Sequence, residues 1–133
     1  MLRAGAWLWL SAVQFFVAQL VVASAFARPF SLTADYISDL GNTACSATIC
    51  SPWHVVMNVS FVAVGITMSA GALSAHRAFA PGWSRTLAMV LFVAAGIGVM
   101  MVGAFPENER NDLHFAGAAM NFATGNPPSS SGR

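Results

Sequence analysis

The sequence predicts an all-α integral membrane protein, a helical bundle with three full transmembrane helices and a short or truncated fourth. Of its 133 residues, 56% are hydrophobic and 8% carry a formal charge, against roughly 25% charged residues in soluble domains. The few charges divide the chain into three apolar runs that are long enough to cross a bilayer. The apolar content excludes a disordered chain, and the net charge of +1 leaves no basic stripe for binding nucleic acid.

The first apolar run lies between Arg3 and Arg28 and predicts a span over residues 7–27. A spanning helix needs roughly 20 apolar residues to cross about 30 Å of hydrocarbon, and this run provides them. Its end, Ala25-Phe26-Ala27, has the form of a signal-peptidase site, so a cleaved signal peptide is the alternative. The run exceeds the usual apolar core of about 7–15 residues in a signal peptide, which favours an uncleaved helix.

The second and third runs predict spans over residues 55–75 and 86–105. Both carry small residues at helical spacing, which let helix backbones approach closely in lipid. These small residues are Gly65, Ser69 and Ala72 in the second span, and Gly96, Gly98 and Gly103 in the third. Asn58 and Ser60 add polar groups near the start of the second span, where we expect hydrogen bonds between helices.

The fourth run begins at Leu113 and predicts a partial helix over residues 113–126. It is short for a span, because Pro127 follows before one could be completed. One interpretation is a re-entrant or interfacial segment, and the other is a full helix cut short by truncation, which we expect. Residues 127–133 are small, polar and proline-containing, a composition typical of a disordered tail.

The distribution of arginines predicts the orientation of the chain. Arg3, Arg77 and Arg85 lie on the side of the N-terminus, whereas the other side has Arg28 and Arg110 among five acidic residues. By the positive-inside rule, we expect a multi-pass protein of the cell membrane with a cytoplasmic N-terminus. The absence of Lys and the high Ala content indicate a bacterial origin.

Polar residues collect in the loop of residues 28–53 and the loop of residues 106–112, which meet at one end of the bundle. We call this end the acidic rim. Asp35 and Asp39 are four residues apart, so on a short helix capped by Thr33 and ended by Gly41 they would share a face. Because two like charges at this spacing repel, a compensating charge is expected nearby. The candidates are Arg28, Arg110, a protonated His114 and a metal ion.

The loop that follows the third span places further polar groups at the acidic rim. Asp112 resembles the N-cap of the next helix, and His114 lies in the first turn of that helix. The candidate catalytic residues are Asp35, Asp39 and His114, and their polar neighbours are Tyr36, Ser38, Asn58, Glu107 and Asn108. Such a set can bind a cation, hold a headgroup or perform acid–base chemistry. The alternative is a solvated loop with ordinary helix caps.

The two cysteines, Cys45 and Cys50, both lie in the first loop of the acidic rim. Outside the cytoplasm, an oxidising environment favours a disulfide between them. Free thiols are the second alternative. With His54 the cysteines also form three of the four ligands that a zinc ion needs, which is a weak metal signal.

Several short motifs resemble the family catalogued as domain of unknown function 998, which contains small polytopic membrane proteins. The motifs are Asp35-Tyr36-Ile37-Ser38-Asp39-Leu40-Gly41, then Ser51-Pro52 and Met57-Asn58, then Gly103-Ala104-Phe105-Pro106-Glu107-Asn108, and finally His114 with a looser match over residues 122–126. The resemblance covers residues from about 7 to 126. It implies a helical membrane fold with no established activity. Because members of this family run to about six helices, it also implies that this chain is truncated.

Two classes of function follow from these observations. The first is a non-enzymatic lipid-binding or assembly module without a cofactor, which contacts the lipid bilayer and associates with a second copy or with other membrane helices. The second is a membrane-embedded hydrolase or transferase that acts on lipid headgroups. In that hypothesis His114 is the general base or a metal ligand, and Asp35 and Asp39 orient it or hold a cation.

Overall fold

The computed structural model describes residues 2–125, and this part of the chain is helical without any strand. The helices are α1 (Leu2–Leu10), α2 (Ala12–Ser24), α3 (His54–Ala75), α4 (Trp83–Ala104) and α5 (Asn111–Gly125), with 3-10 turns at Ile37–Gly41 and His76–Ala78. Three stretches are long and apolar enough to cross a membrane: Ala6–Ser24, His54–Ala78 and Trp83–Ala104. The predicted fold class is confirmed, with α5 as the short fourth helix. The predicted tail lies outside the described residues.

The first span is one helix interrupted at Ser11, which the apolar pattern does not predict. The Ser11 N–H donates to the Trp7 carbonyl, four residues back, as in an α-helix. The Gln14 N–H donates to the Ser11 carbonyl, only three residues back, as in a 3-10 turn. The Ser11 hydroxyl also donates to the Leu8 carbonyl, a bond that competes with the helical ladder and bends helices. As a result α1 and α2 form a single span with a local irregularity.

Helix α3 contacts α1, α2 and α4, and α5 packs on α4. The ring of Trp9 in α1 also reaches that of Phe92 in α4, at 6.2 Å between centroids. Glycines permit these close approaches, as the sequence predicts. A Cβ atom on Gly65 of α3 would lie 2.5 Å from the carbonyl oxygen of Gly96, and one on Gly98 of α4 would lie 2.5 Å from that of Gly117. Backbone-to-backbone packing therefore joins α3 to α4 and α4 to α5.

A polar pair joins the first span to α3 within the apolar region. The Ser60 hydroxyl donates to Gln14 Oε1 at 2.9 Å, and Gln14 Nε2 donates to the Ser60 carbonyl at 3.3 Å. Ser60 is 4% exposed, so this pair satisfies groups that lipid cannot. The expectation that Ser60 bonds to a neighbouring helix is confirmed.

The best-packed core lies next to the acidic rim, where loop residues insert between α2 and α3. Its buried members are Val22, Phe26, Leu40, Met57 and Phe61. Leu40 belongs to the 3-10 turn and is fully buried together with Met57 of α3. The first loop is therefore part of the fold, and its backbone is anchored where the candidate site residues lie.

Candidate functional site at the acidic rim

Asp35 forms a bidentate ion pair with Arg28. Arg28 Nη2 lies 2.7 Å from Asp35 Oδ1, and Arg28 Nη1 lies 2.9 Å from Asp35 Oδ2. The Ser31 N–H also donates to Asp35 Oδ2 at 2.8 Å. The hydrogen bonds from Arg28 and then from Ser31 lower the pKa of Asp35 to about 2. Among the compensating charges that the sequence offers for Asp35, the structure selects Arg28.

The short helix predicted to carry both aspartates is wrong in its extent. The 3-10 turn spans only Ile37–Gly41 and has Tyr36 in extended conformation as its N-cap, so Asp35 lies before it. The reason is that Asp35 accepts the Ser31 N–H and closes a separate turn. Thr33, the predicted cap, bonds instead to the Ser31 hydroxyl. The two carboxylates therefore occupy different local structures.

Asp39 is 9% exposed, and its carboxylate forms no ion pair within residues 2–125. Burial raises the pKa of Asp39 above its usual value, and the negative charge of Glu107 raises it further. This is the reverse of the environment at Asp35, where a cation stabilises the charged form.

Two side chains bond to the 3-10 turn, one from α3 and one from the loop just before it. Asn58 Nδ2 donates to the Gly41 carbonyl at 3.0 Å, and the Ser51 hydroxyl donates to the Leu40 carbonyl at 2.6 Å. A Cβ atom on Gly41 would collide with Asn58 Oδ1, so this close approach requires glycine. Asn58 is therefore a loop anchor, whereas the sequence suggests a contact between helices.

The two loops of the acidic rim are joined by Thr43. Its N–H donates to Asn108 Oδ1 at 3.1 Å, Asn108 Nδ2 donates to its hydroxyl oxygen at 2.9 Å, and its hydroxyl donates to Glu109 Oε1 at 2.5 Å. Sequence reasoning misses both Thr43 and Glu109, because nothing in their local pattern indicates partners more than sixty residues away. Glu107 and Asn108 thus have different roles despite being adjacent.

His114 is 4% exposed and connects α5 to the end of α4. Its Nδ1 lies 2.9 Å from the Phe105 carbonyl oxygen, which can only accept a hydrogen bond, so Nδ1 carries the proton. In the neutral ring Nε2 then keeps its lone pair. The helix begins at Asn111, so Asp112 lies within the first turn and not at the N-cap.

Two other predicted site residues, Tyr36 and Ser38, differ in their exposure. The Tyr36 side chain is 67% exposed, and Ser38 is half-buried in the 3-10 turn. The structure joins Asp35 directly to Arg28. Asp39 lies within electrostatic range of that ion pair and of Glu107. The catalytic roles of Asp35, Asp39 and His114 stay predictions.

Cys45 and Cys50 form a disulfide, which decides among the three alternatives left open by the sequence. The enclosed loop is attached to the segment just after the first span, because the Ala27 N–H donates to the Cys50 carbonyl at 3.1 Å. His54 Nδ1 bonds to the Ser51 carbonyl at 2.9 Å. Within the described residues, no group of three or more His, Cys, Asp or Glu side chains could hold a metal ion.

Of the comparisons with known proteins, one gives a match, and it covers most of the chain. Neither the curated proteins nor the solved structures gave a significant match. A family model described as a protein of unknown function, DUF998, matches residues 5–125. This match covers nearly the whole described chain and includes the Asp35–Gly41 segment, Asn58 and His114. The chain therefore belongs to the DUF998 family of proteins of unknown function.

Proposed function

We propose that this protein is a non-enzymatic, lipid-binding membrane module. The polar groups of the acidic rim support this proposal, because most of them bond to one another in structural roles. Arg28 donates to the Asp35 carboxylate, and Asn58 donates to the Gly41 carbonyl. The Thr43 N–H donates to the Asn108 side chain. Side chains used in this way stabilise the loops above the helices and leave few groups for chemistry.

The observation that carries the lipid-binding proposal is an open groove of about 390 Å³ between α3 and α4. It is lined by Asn58, Val59, Val62, Ala63, Ile66 and Gly103. At Gly103, α4 packs directly against the Asn58 carbonyl without an intervening side chain, and this close contact borders the groove. The groove runs from polar Asn58 near the acidic rim to Ile66, two turns deeper. This gradient fits a lipid whose acyl chain lies along α3.

Filling the groove tests this proposal. Purified protein in mild detergent would be titrated with phosphatidylcholine and the bound lipid counted by native mass spectrometry. Ala63→Phe should weaken lipid binding about tenfold, because the ring occupies the space of two or more methylene groups. Val90→Phe is the matched control, because Val90 is 59% exposed on α4 and does not line the groove. Equal affinity in both variants would refute the groove as a lipid site.

A membrane-embedded hydrolase or transferase is the second candidate, favoured by one specific observation. The bond from His114 Nδ1 to the Phe105 carbonyl leaves Nε2 as the basic atom that a general base requires. Because Nδ1 is bonded to the Phe105 carbonyl and Nε2 must accept the proton, Asp39 would orient the substrate and not the ring. The ion pair with Arg28 gives Asp35 a supporting role. For direct or water-bridged contact, Asp39 and His114 must lie within roughly 8 Å.

This candidate predicts turnover that depends on His114. Vesicles of phosphatidylglycerol would be incubated with the purified protein, and headgroup release measured against His114→Gln. Release by the native protein that disappears in the variant would support the enzyme. Release equal to that of protein-free vesicles would leave the lipid-binding module as the better account.

A further inference from the structure

The opposite end of the bundle has its own polar chemistry. Here the turn between α3 and α4 contains His76 and Arg77, and α4 begins with Trp83, Ser84 and Arg85. We call this end the basic rim. No acidic residue occurs anywhere between Asp39 and Glu107, so these cations have no nearby carboxylate in sequence. The basic rim therefore attracts anions.

A cavity of about 270 Å³ opens at the basic rim between the turn and the first turns of α4. Its lining is Phe79, Ala80, Ser84, Arg85, Ala88 and Met89. Ser84 and Arg85 make one end polar, while Ala88 and Met89, one turn further along α4, make the other end apolar. A cavity with this division fits an amphiphile better than a free ion.

Arg85 is held at the mouth of the cavity with most of its donors unused. Its Nη1 donates to the Phe79 carbonyl at 3.4 Å, a long bond that positions the guanidinium without neutralising it. A guanidinium has five N–H donors, and Arg85 forms no ion pair within the described chain. The remaining donors match the two free oxygens of a phosphodiester.

The start of α4 adds to this attraction. Its N-cap is Gly82, which provides no side-chain hydrogen bond, and the Thr86 N–H is the first to bond back along the helix. The N–H groups of the preceding turn therefore have no partner within the helix, and they lie at the positive end of the helix dipole. They lie beside Ser84 and Arg85, so helix and side chains favour an anion at the same place.

Exposed aromatic residues place the cavity at headgroup depth. Phe79 is 57% exposed and Trp83 is 79% exposed, and amphipathic Trp rings prefer the boundary between headgroups and acyl chains. With the aromatic rings at that boundary, Arg85 lies at the level of lipid phosphates, and Met89 lies at the level of the acyl chains. The occupant is then a phospholipid and not free phosphate.

We propose that the cavity at the basic rim is a binding site for the phosphate of an anionic phospholipid. Arg85 and Ser84 bind the phosphate oxygens, and Ala88 and Met89 contact the first part of an acyl chain. Basic pockets between transmembrane helices bind anionic headgroups in the same way. A zwitterionic headgroup is disfavoured, because its own cation would lie near Arg85. This site shares no residue with the groove between α3 and α4, so the two proposals stand independently.

The test compares two arginines of equal charge. Phosphatidylglycerol and phosphatidylcholine would be titrated separately into the purified protein and followed by native mass spectrometry. Arg85→Gln should weaken phosphatidylglycerol binding about fivefold and leave phosphatidylcholine binding unchanged. Arg77→Gln is the control, because Arg77 is exposed and outside the cavity, and it should change binding less than twofold.

Two further measurements keep the proposal falsifiable. Ala88→Phe fills the apolar end without changing any charge, and it should also weaken phosphatidylglycerol binding. Excess inorganic phosphate should not displace the lipid, since the acyl contact is missing from the competitor. Equal losses in Arg77→Gln and Arg85→Gln would show diffuse attraction to the surface and overturn the site. Displacement by phosphate, or normal binding in Ala88→Phe, would overturn the lipid as its occupant.

Discussion

At the scale of single residues, Asp35 and Asp39 show that spacing does not determine the state of a carboxyl group. The same side chain recurs after four residues, yet Arg28 stabilises the charged form of Asp35, whereas burial and Glu107 oppose the charge of Asp39. The sequence predicts that both lie at one rim and that a cation is needed. It cannot predict which aspartate receives Arg28, because that depends on the turn closed by Ser31.

Asp35→Asn should lower the thermal stability of the protein in detergent at pH 7. The pKa of Asp35 is about 2 in the folded protein against an ordinary value of 3.8. Its contribution is therefore complete above about pH 4 and is lost as the pH falls toward 2. Thermal unfolding followed by circular dichroism at pH 7 and pH 3 measures this difference. Asp112→Asn is the control, since Asp112 and Arg110 form an exposed pair that contributes little.

Asp39→Asn should raise the thermal stability at pH 7. The folded-state pKa of Asp39 is above its ordinary value of 3.8, so the folded protein binds this proton more tightly than the unfolded chain. Stability from this group is complete below about pH 4 and is lost as the pH rises through the folded-state pKa. The native protein should become more stable between pH 7 and pH 4, and the variant should lose that dependence. A destabilised variant at pH 7 would contradict the raised pKa.

At the scale of the helices, the apolar runs predict α3 and α4 well because lipid imposes length and apolarity on any span. The small residues within them predict close helix contacts for the same reason. The interruption at Ser11 and the short 3-10 turn at Ile37–Gly41 follow from individual hydrogen bonds. Because a single side chain determines each of these bonds, the hydrophobic periodicity of the surrounding residues cannot predict them.

Gly65→Ala and Gly71→Ala should have opposite effects on stability, although both lie in α3. A Cβ on Gly65 would lie 2.5 Å from the Gly96 carbonyl oxygen, whereas one on Gly71 would meet Leu8 at 3.6 Å, an ordinary contact. Gly65→Ala should therefore destabilise by about 1–3 kcal/mol through overpacking. Gly71→Ala should stabilise by roughly 0.5–1 kcal/mol through helix propensity. Unfolding in detergent compares them, and loss of stability in both would show that propensity does not decide at Gly71.

At the scale of the whole molecule, the two rims divide the chemistry of the protein. At the acidic rim, the disulfide, the Arg28 ion pair and the hydrogen bonds of Thr43 join the loops to one another. The basic rim has a short turn, exposed aromatic rings and Arg85, which forms no ion pair within residues 2–125. The proposed phospholipid site therefore lies at the basic rim alone, and the leaflet that supplies its lipid depends on the orientation of the protein in the membrane.

The orientation of the two rims in the membrane is predicted from the distribution of arginines. The excess of arginine at Arg77 and Arg85 favours a cytoplasmic basic rim, so the disulfide of the acidic rim should face the outside, where oxidation is possible. After mild reduction, a membrane-impermeant maleimide should label Cys45 and Cys50 in intact cells. A cysteine at the basic rim (Arg77→Cys, with Cys45→Ser and Cys50→Ser) should react only after lysis, when the reagent reaches the cytoplasmic face. The reverse pattern would place the basic rim outside and separate it from the anionic cytoplasmic leaflet.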